Sequence, residues 1–209
     1  LHAQGLRHEA EAAYRHFATT LAEALGLEPT AETRALRAMP AVSVEPPLSG
    51  VLAYDTSAIA FVGRRSELRE LAALLSQPGC RWITLVGAGG TGKTRLLQHA
   101  LPELSREFTD GAVWVPCEDL QQPAQVAARL AECLKLPLQP QRSTLVQVAE
   151  HLAGRHLLLA LDNLEHLPQA GVEIATALAG CSGVQVVATS RMRLGIPGEW
   201  LLPLQGLPW

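Results

Sequence analysis

The chain has 209 residues, 48% of them hydrophobic and 18% charged, enough apolar side chain for one packed domain plus a smaller piece and too much for global disorder. A formal net charge of −3 argues against a broad nucleic-acid surface on this segment itself. No apolar run approaches the roughly 18 residues of a membrane span and no secretory signal is visible, so the chain reads as cytoplasmic, with no membrane partner.

In chain order, residues 4–25 place Ala10, Ala13, Tyr14, Phe17, Leu21, Ala24 and Leu25 at helical spacing. Gly26 supplies a C-cap and Pro29 follows it. A second short helix over about 30–38 completes a hairpin of the helical-repeat type. Such a hairpin cannot bury its apolar face alone and needs an N-terminal neighbour; an amphipathic helix packed on the next domain is the alternative. Leu1 opens inside a helical pattern and Leu207-Pro208-Trp209 stop without a domain ending, so the chain reads as a piece of a longer protein. Residues 39–58, punctuated by Pro40, Pro46, Pro47, Ser49 and Gly50, read as a linker.

From residue 59 to 209 the pattern alternates β and α. A helix is expected over 66–76, with Leu68, Leu71, Ala72 and Leu75 on one face. Strands are expected at 81–86, 112–116, 157–161, 184–189 and 200–203, and helices at 93–104, 123–135, 143–153 and 169–180. Apolar strands alternating with helices predict an α/β fold with a parallel sheet covered on both faces. Trp82, Trp114, Trp200 and Tyr54 read as core or edge packing. Cys80, Cys117, Cys133 and Cys181 lack zinc or redox spacing and read as reduced, mostly buried thiols.

The chemistry concentrates in Gly87-Ala88-Gly89-Gly90-Thr91-Gly92-Lys93-Thr94, a complete G-x-x-x-x-G-K-[ST] phosphate loop between an expected strand and an expected helix. Glycines let main-chain N–H groups close around a polyphosphate, and the new helix turns its positive end to the anion. Lys93, one of two lysines against fifteen arginines, should reach the β- and γ-phosphates of ATP, with Arg95 beside it and Thr94 on Mg²⁺. Asp162 ends the strand of 157–161, where ligands bind in parallel sheets, and could hold Mg²⁺ through water; a helix N-cap is the plainer reading. Asn163 cannot accept a proton. Glu165 could serve as base instead, or cap a helix dipole. His166 reads as solvated or packed. Arg191, after the strand of 184–189, could sense the γ-phosphate with its fork of donors, or be a surface arginine. Phe61-Val62-Gly63-Arg64-Arg65 precedes the first helix, where the backbone at Val62 and Gly63 could lie against adenine and Arg64 could approach phosphate.

In order and spacing, Phe61-Val62-Gly63-Arg64, the loop of 87–94, Leu159-Ala160-Leu161-Asp162-Asn163-Leu164-Glu165-His166-Leu167 and Ala188-Thr189-Ser190-Arg191 resemble bacterial STAND NTPases, relatives of the NB-ARC modules. Phe108 to Trp114 and Leu194 to Glu199 resemble the version found in large bacterial transcription regulators, and residues 1–38 are similar to the end of a bacterial transcriptional activator domain, as in regulators of the Streptomyces antibiotic regulatory protein type. The resemblance implies an AAA+/STAND-like P-loop NTPase core over 59–209, truncated before its lid, behind a small TPR-like hairpin. It also implies a switch, closed with ADP and opened by ATP plus inducer for self-association. Gly63 and Arg64 would lie on the adenine side, Lys93 on phosphate, Thr94 and Asp162 on Mg²⁺, and Arg191 would be the sensor arginine. DNA and inducer would be met by parts missing from this chain. Three functional readings follow: a slow regulatory ATPase, a catalytic P-loop ATPase or small-molecule kinase with a helical adaptor, and an interaction scaffold with a vestigial nucleotide site.

Overall fold

The computed structural model describes residue 61 and residues 63–206. The expected hairpin of 1–38, the linker of 39–58, Tyr54 and Val62 lie outside the described residues.

Helix α1, Arg65–Leu75, leads into strand β1, Trp82–Val86. After the phosphate loop comes α2, Lys93–Leu104, then β2, Ala112–Pro116. Two helices follow, α3 over Pro123–Cys133 and α4 over Thr144–Leu152. The chain continues through β3, Leu157–Asp162, α5, Pro168–Ala177, β4, Val184–Ser190, and β5, Glu199–Pro203.

Two helix ends stop two or three residues short of the sequence expectation, each for a visible reason. Helix α3 closes at Cys133 because Lys135 turns left-handed, at φ 55, and the Leu136 N–H reaches back to the Ala131 carbonyl at 2.9 Å. Beyond α5, Leu178–Gly180 tighten into a 3₁₀ turn. There Arg81 gathers the carbonyls of Leu178 and Cys181, both at 2.7 Å, and of Val184 at 3.1 Å. That guanidinium satisfies acceptors that a helix end and a strand start would otherwise bury.

The five strands form one parallel sheet in the order β2-β3-β4-β1-β5. Side chains alternate between two buried faces with period two. On one face Val113, Val115, Leu157, Leu159, Leu161, Val186 and Ala188 pack with Val126 and Leu130 of α3, Val148 of α4 and Ile174 of α5. On the other, Ile83, Leu85, Trp114, Leu158, Ala160 and Val187 pack with Leu71 of α1 and Leu96, Leu97 and Leu101 of α2. Covering on both faces is what continuous apolar strands require, and it makes this an α/β P-loop NTPase fold. Trp82 and Trp114 are core, whereas Trp200 is partly exposed on edge strand β5.

The order also fixes where a ligand can sit. The chain leaves β1 for the far edge at β2, returns through β3 and β4, then crosses to β5 on the other side of β1. The crevice beyond the carboxyl end of β1 lies at this switch point.

Gly183 and Gly180 separate packing from chain entropy. A Cβ on Gly183 would collide with the main-chain carbonyl of Arg155, while one on Gly180 meets nothing within 4 Å. Gly183→Ala should lower the unfolding free energy by about 1–3 kcal/mol, and Gly180→Ala should raise it or leave it unchanged. Urea titration of the two variants checks both signs.

Candidate functional site

The phosphate loop hangs between β1 and α2. Gly90 and Gly92 take φ of 80° and 86°, which only glycine adopts without strain. Gly92 caps α2, its carbonyl accepting the Leu96 N–H at 2.8 Å. At the loop's start a Cβ on Gly87 would collide with the Leu204 carbonyl, because the chain leaving β5 passes there and Leu204 N–H donates to Val86 at 2.6 Å. Inside the loop Lys93 is buried as a residue, and its ammonium donates to the carbonyls of Gly87 at 2.7 Å and Ala88 at 3.0 Å. It is therefore aimed back along the loop it must serve. Arg95 stands exposed on the first turn of α2.

Asp162 ends β3 on the α2 side of the sheet, two residues beyond Ala160 and on the same face. Its Oδ1 accepts the Thr94 hydroxyl at 2.9 Å and the Thr189 hydroxyl at 2.6 Å. Burial raises its pKa above the usual carboxylate value, and the hydroxyls of Thr189 and Thr94 offset that only in part. Thr189 also accepts the Asn163 N–H at 2.8 Å. Nothing in its own chemistry marks Thr189 as part of the site in the sequence, but strand parity points to it: Val187 faces α2, so a residue two further on faces α2 as well.

Arg64 sits at φ 60, a strained position for a non-glycine residue. Its guanidinium donates to the Thr91 carbonyl at 2.9 Å and the Gln205 carbonyl at 2.6 Å, and pairs with Glu67 at 2.6 Å. That pairing holds the Glu67 carboxyl below its ordinary value, helped by the Ser66 hydroxyl. Arg64 thus grips the main chain of the phosphate loop. Gly63 beside it is exposed and left-handed, at φ 78. Phe61 stacks on His99 of α2 with ring centroids 4.0 Å apart.

Glu165 and Arg191 are brought together, with Nε 2.9 Å from Oε1. His166 turns away from them, its Nε2 2.7 Å from the Leu120 carbonyl. Cys80, Cys117, Cys133 and Cys181 are free. Burial, reinforced by the Asp162 charge, pushes the Cys117 thiol up to about 12, which removes it as a nucleophile near neutral pH. Among the described residues no group of three His, Cys, Asp or Glu side chains could hold a metal by itself, and no helix is long and apolar enough to cross a membrane.

Residues 60–146 match the AAA ATPase domain, and residues 1–39 match the bacterial transcriptional activator domain. The regulatory protein AfsR of Streptomyces griseus is 29% identical over 220 residues, 93% of this chain and 22% of that protein. A putative HTH-type transcriptional regulator of Mycobacterium tuberculosis is 38% identical over 136 residues, 64% of this chain and 15% of that protein. The chain therefore spans less than a quarter of either relative's length. Among solved structures, Cdc6p from Pyrobaculum aerophilum superposes with a TM-score of 0.55 at 20% identity, covering 72% of this chain and 48% of that one. The Aeropyrum pernix ORC1 protein in complex with DNA gives 0.54 at 19%, covering 73% and 48%. These two likenesses concern the fold alone. The chain carries an AAA ATPase domain behind the end of a bacterial transcriptional activator domain.

Asp162 has a pH signature. Its pKa is raised in the folded chain, so the native state takes up a proton more readily than the unfolded one. The ionised side chain costs stability above the folded pKa, and that cost fades as pH falls through it. Asp162→Asn keeps an oxygen for the two threonine hydroxyls. Without ligand it should be at least as stable as the wild type at pH 7, with its advantage shrinking towards pH 4. Urea midpoints at the two pH values test this.

Proposed function

We propose that this AAA ATPase domain is an adenine-nucleotide switch within a bacterial transcription regulator, binding Mg-ATP and hydrolysing it slowly. The observation that carries the reading is the meeting of Thr94 and Asp162 at 2.9 Å beside a loop whose Lys93 is buried and already aimed.

Lys93 would exchange its two carbonyl acceptors for phosphate oxygens, a stronger charge-assisted contact. The donor set beside it suits a hard divalent cation: a hydroxyl and a carboxylate, both oxygen, too few to cage the ion without phosphates. Thr94 and Asp162 would hold Mg²⁺, which when bound neutralises charge on the phosphates. Val62, Gly63 and Arg64 would border the adenine side, and Gly87 to Arg95 would wrap the phosphates. Slow turnover follows from Asn163, which cannot take a proton from water, and from Glu165, whose carboxylate is engaged by Arg191.

The regulatory half of the reading is supported by the activator-domain match over residues 1–39 and by likeness to two proteins named as regulators. DNA and inducer would be met by segments outside residues 1–209, the ATP-bound form would self-associate, and the protein would work in the cytoplasm.

Isothermal titration with Mg-ATP and Mg-ADP tests the binding. Lys93→Ala should weaken both nucleotides by roughly a hundredfold, about 2.7 kcal/mol. Equal affinity in variant and wild type would leave only a scaffold with a vestigial site. Phosphate release from the purified protein should fall well below the ordinary enzyme range of about 1–10³ s⁻¹. Steady turnover inside that range without an inducer would favour a catalytic ATPase or kinase.

A further inference from the structure

We infer that Glu165 is a positioning residue for Arg191, holding the arginine over the phosphate loop so that the site distinguishes ATP from ADP. The inference rests on the nucleotide-switch reading and gives Glu165 a role other than the general base that the sequence offered.

The geometry begins with the turn after β3. Asn163 is left-handed at φ 63, and its N–H donates to the Thr189 hydroxyl at 2.8 Å. Leu164 N–H then donates to the Thr189 carbonyl at 3.0 Å. Both bonds fasten this turn to the residue two before Arg191. On the β4 side the Ser190 hydroxyl accepts the Met192 N–H at 3.2 Å and donates to the Met192 carbonyl at 2.5 Å. Backbone on either side of the pair is thereby fixed, and the two side chains meet across it.

They meet unequally. Glu165 is 14% exposed and Arg191 67%. A long arginine at that exposure has many rotamers open to it, and the carboxylate at 2.9 Å from Nε selects among them. The selected position is over the loop, since a Cβ built on Gly89 would lie 3.9 Å from the Arg191 Cζ. A guanidinium carries five N–H donors in a planar fork. Contact along the Nε edge leaves the rest of the fork for an anion above the glycines, where a terminal phosphate would reach.

The same contacts argue against a proton-accepting role for Glu165. Turned with its nitrogen toward Glu165, the Asn163 amide donates to Oε1 at 3.0 Å and Oε2 at 3.3 Å. With the arginine on Oε1 as well, three donor contacts already fall on the carboxylate, and a water would have to compete with them for the lone pair that a base directs at it.

The test measures affinity for a non-hydrolysable ATP analogue and for ADP, both with Mg²⁺, in wild type, Glu165→Gln, Glu165→Asp, Arg191→Ala and the Glu165→Gln/Arg191→Ala double variant. Phosphate release at saturating ATP is read alongside. Glu165→Gln should weaken the ATP analogue by about five- to tenfold, the effect of misaligning one charge-assisted contact, and leave ADP within about twofold. Glu165→Asp, which keeps the charge one carbon short, should fall between. In the Arg191→Ala background, Glu165→Gln should change nothing further. Loss of ~10²-fold or more in phosphate release at unchanged affinity, persisting without Arg191, would make Glu165 the base and overturn the inference. Equal weakening of both nucleotides would also overturn it, leaving Glu165 a general structural role. Wild-type protein that binds neither nucleotide would remove the switch reading itself, and this inference with it. Arg191→Ala alters an exposed side chain and reports even if Glu165→Gln fails to fold, because it must lose the same preference for the ATP analogue.

Discussion

A carboxylate withdrawn from water must find donors, and at Asp162 this requirement ties three elements together. Its Oδ1 takes hydroxyls from Thr94 on α2 and from Thr189 on β4. Neither threonine is a neighbour of Asp162 in sequence, so the bonds exist only when the helix after the loop is in place and β3 and β4 are in register. Buried polar groups left without partners cost on the order of 1–3 kcal/mol each. The arrangement that offers Thr94 and Asp162 to a cation is therefore also one the fold favours with no cation present. Burial acts in the other direction on charge, since the raised pKa of Asp162 means its ionised form gains more from a bound cation than a solvated aspartate would.

Strand parity explains why so much of this was legible in the sequence. Apolar runs at β1, β3 and β4 announced strands buried on both faces, and helical periodicity located α2 and α4 to within a residue at each end. The phosphate loop needed no tertiary information, because glycine at 90 and 92 and Lys93 are local requirements of a local structure. Asp162 was readable from its place at the end of an apolar strand. What stayed hidden depended on pairing between distant segments. Thr189 looked like a β-branched strand residue, and only the β3–β4 register, with Leu161 opposite Ala188, sets it beside Asp162. Arg64 read as a phosphate or adenine contact, since a lone arginine gives no sign of which acceptors will surround it. The fold gives it two main-chain carbonyls, one of them 141 residues away in the sequence. The early end of α3 was hidden for a similar reason, because Lys135 in a left-handed C-cap breaks the usual glycine signal.

The β4–β5 connection shows a second use of a carboxylate. Glu199 opens β5 and accepts the Thr84 hydroxyl at 2.6 Å together with the main-chain N–H groups of Leu194 at 2.9 Å and Gly195 at 3.0 Å. The Trp82 indole N–H in turn reaches Thr84 at 3.2 Å. The connection that begins with Arg191 is thus pinned to the middle of β1, the strand that carries the phosphate loop. Both ends of the arginine's setting are held this way, through Thr189 on one side and Glu199 on the other, while its own side chain stays exposed.

Arg64 completes a path out of the site. Its guanidinium bridges the Thr91 carbonyl in the loop and the Gln205 carbonyl beyond β5, while Leu204 crosses the loop's first residue closely enough to require glycine at 87. Any change in the loop's crown must either carry the segment after β5 with it or break these contacts. Packed backbone of this kind tends to move between discrete arrangements rather than deform smoothly. The segment leaving β5 is therefore fastened to the phosphate loop at two successive residues, Leu204 and Gln205. The Arg64–Glu67 pair ties the same guanidinium to the first turn of α1.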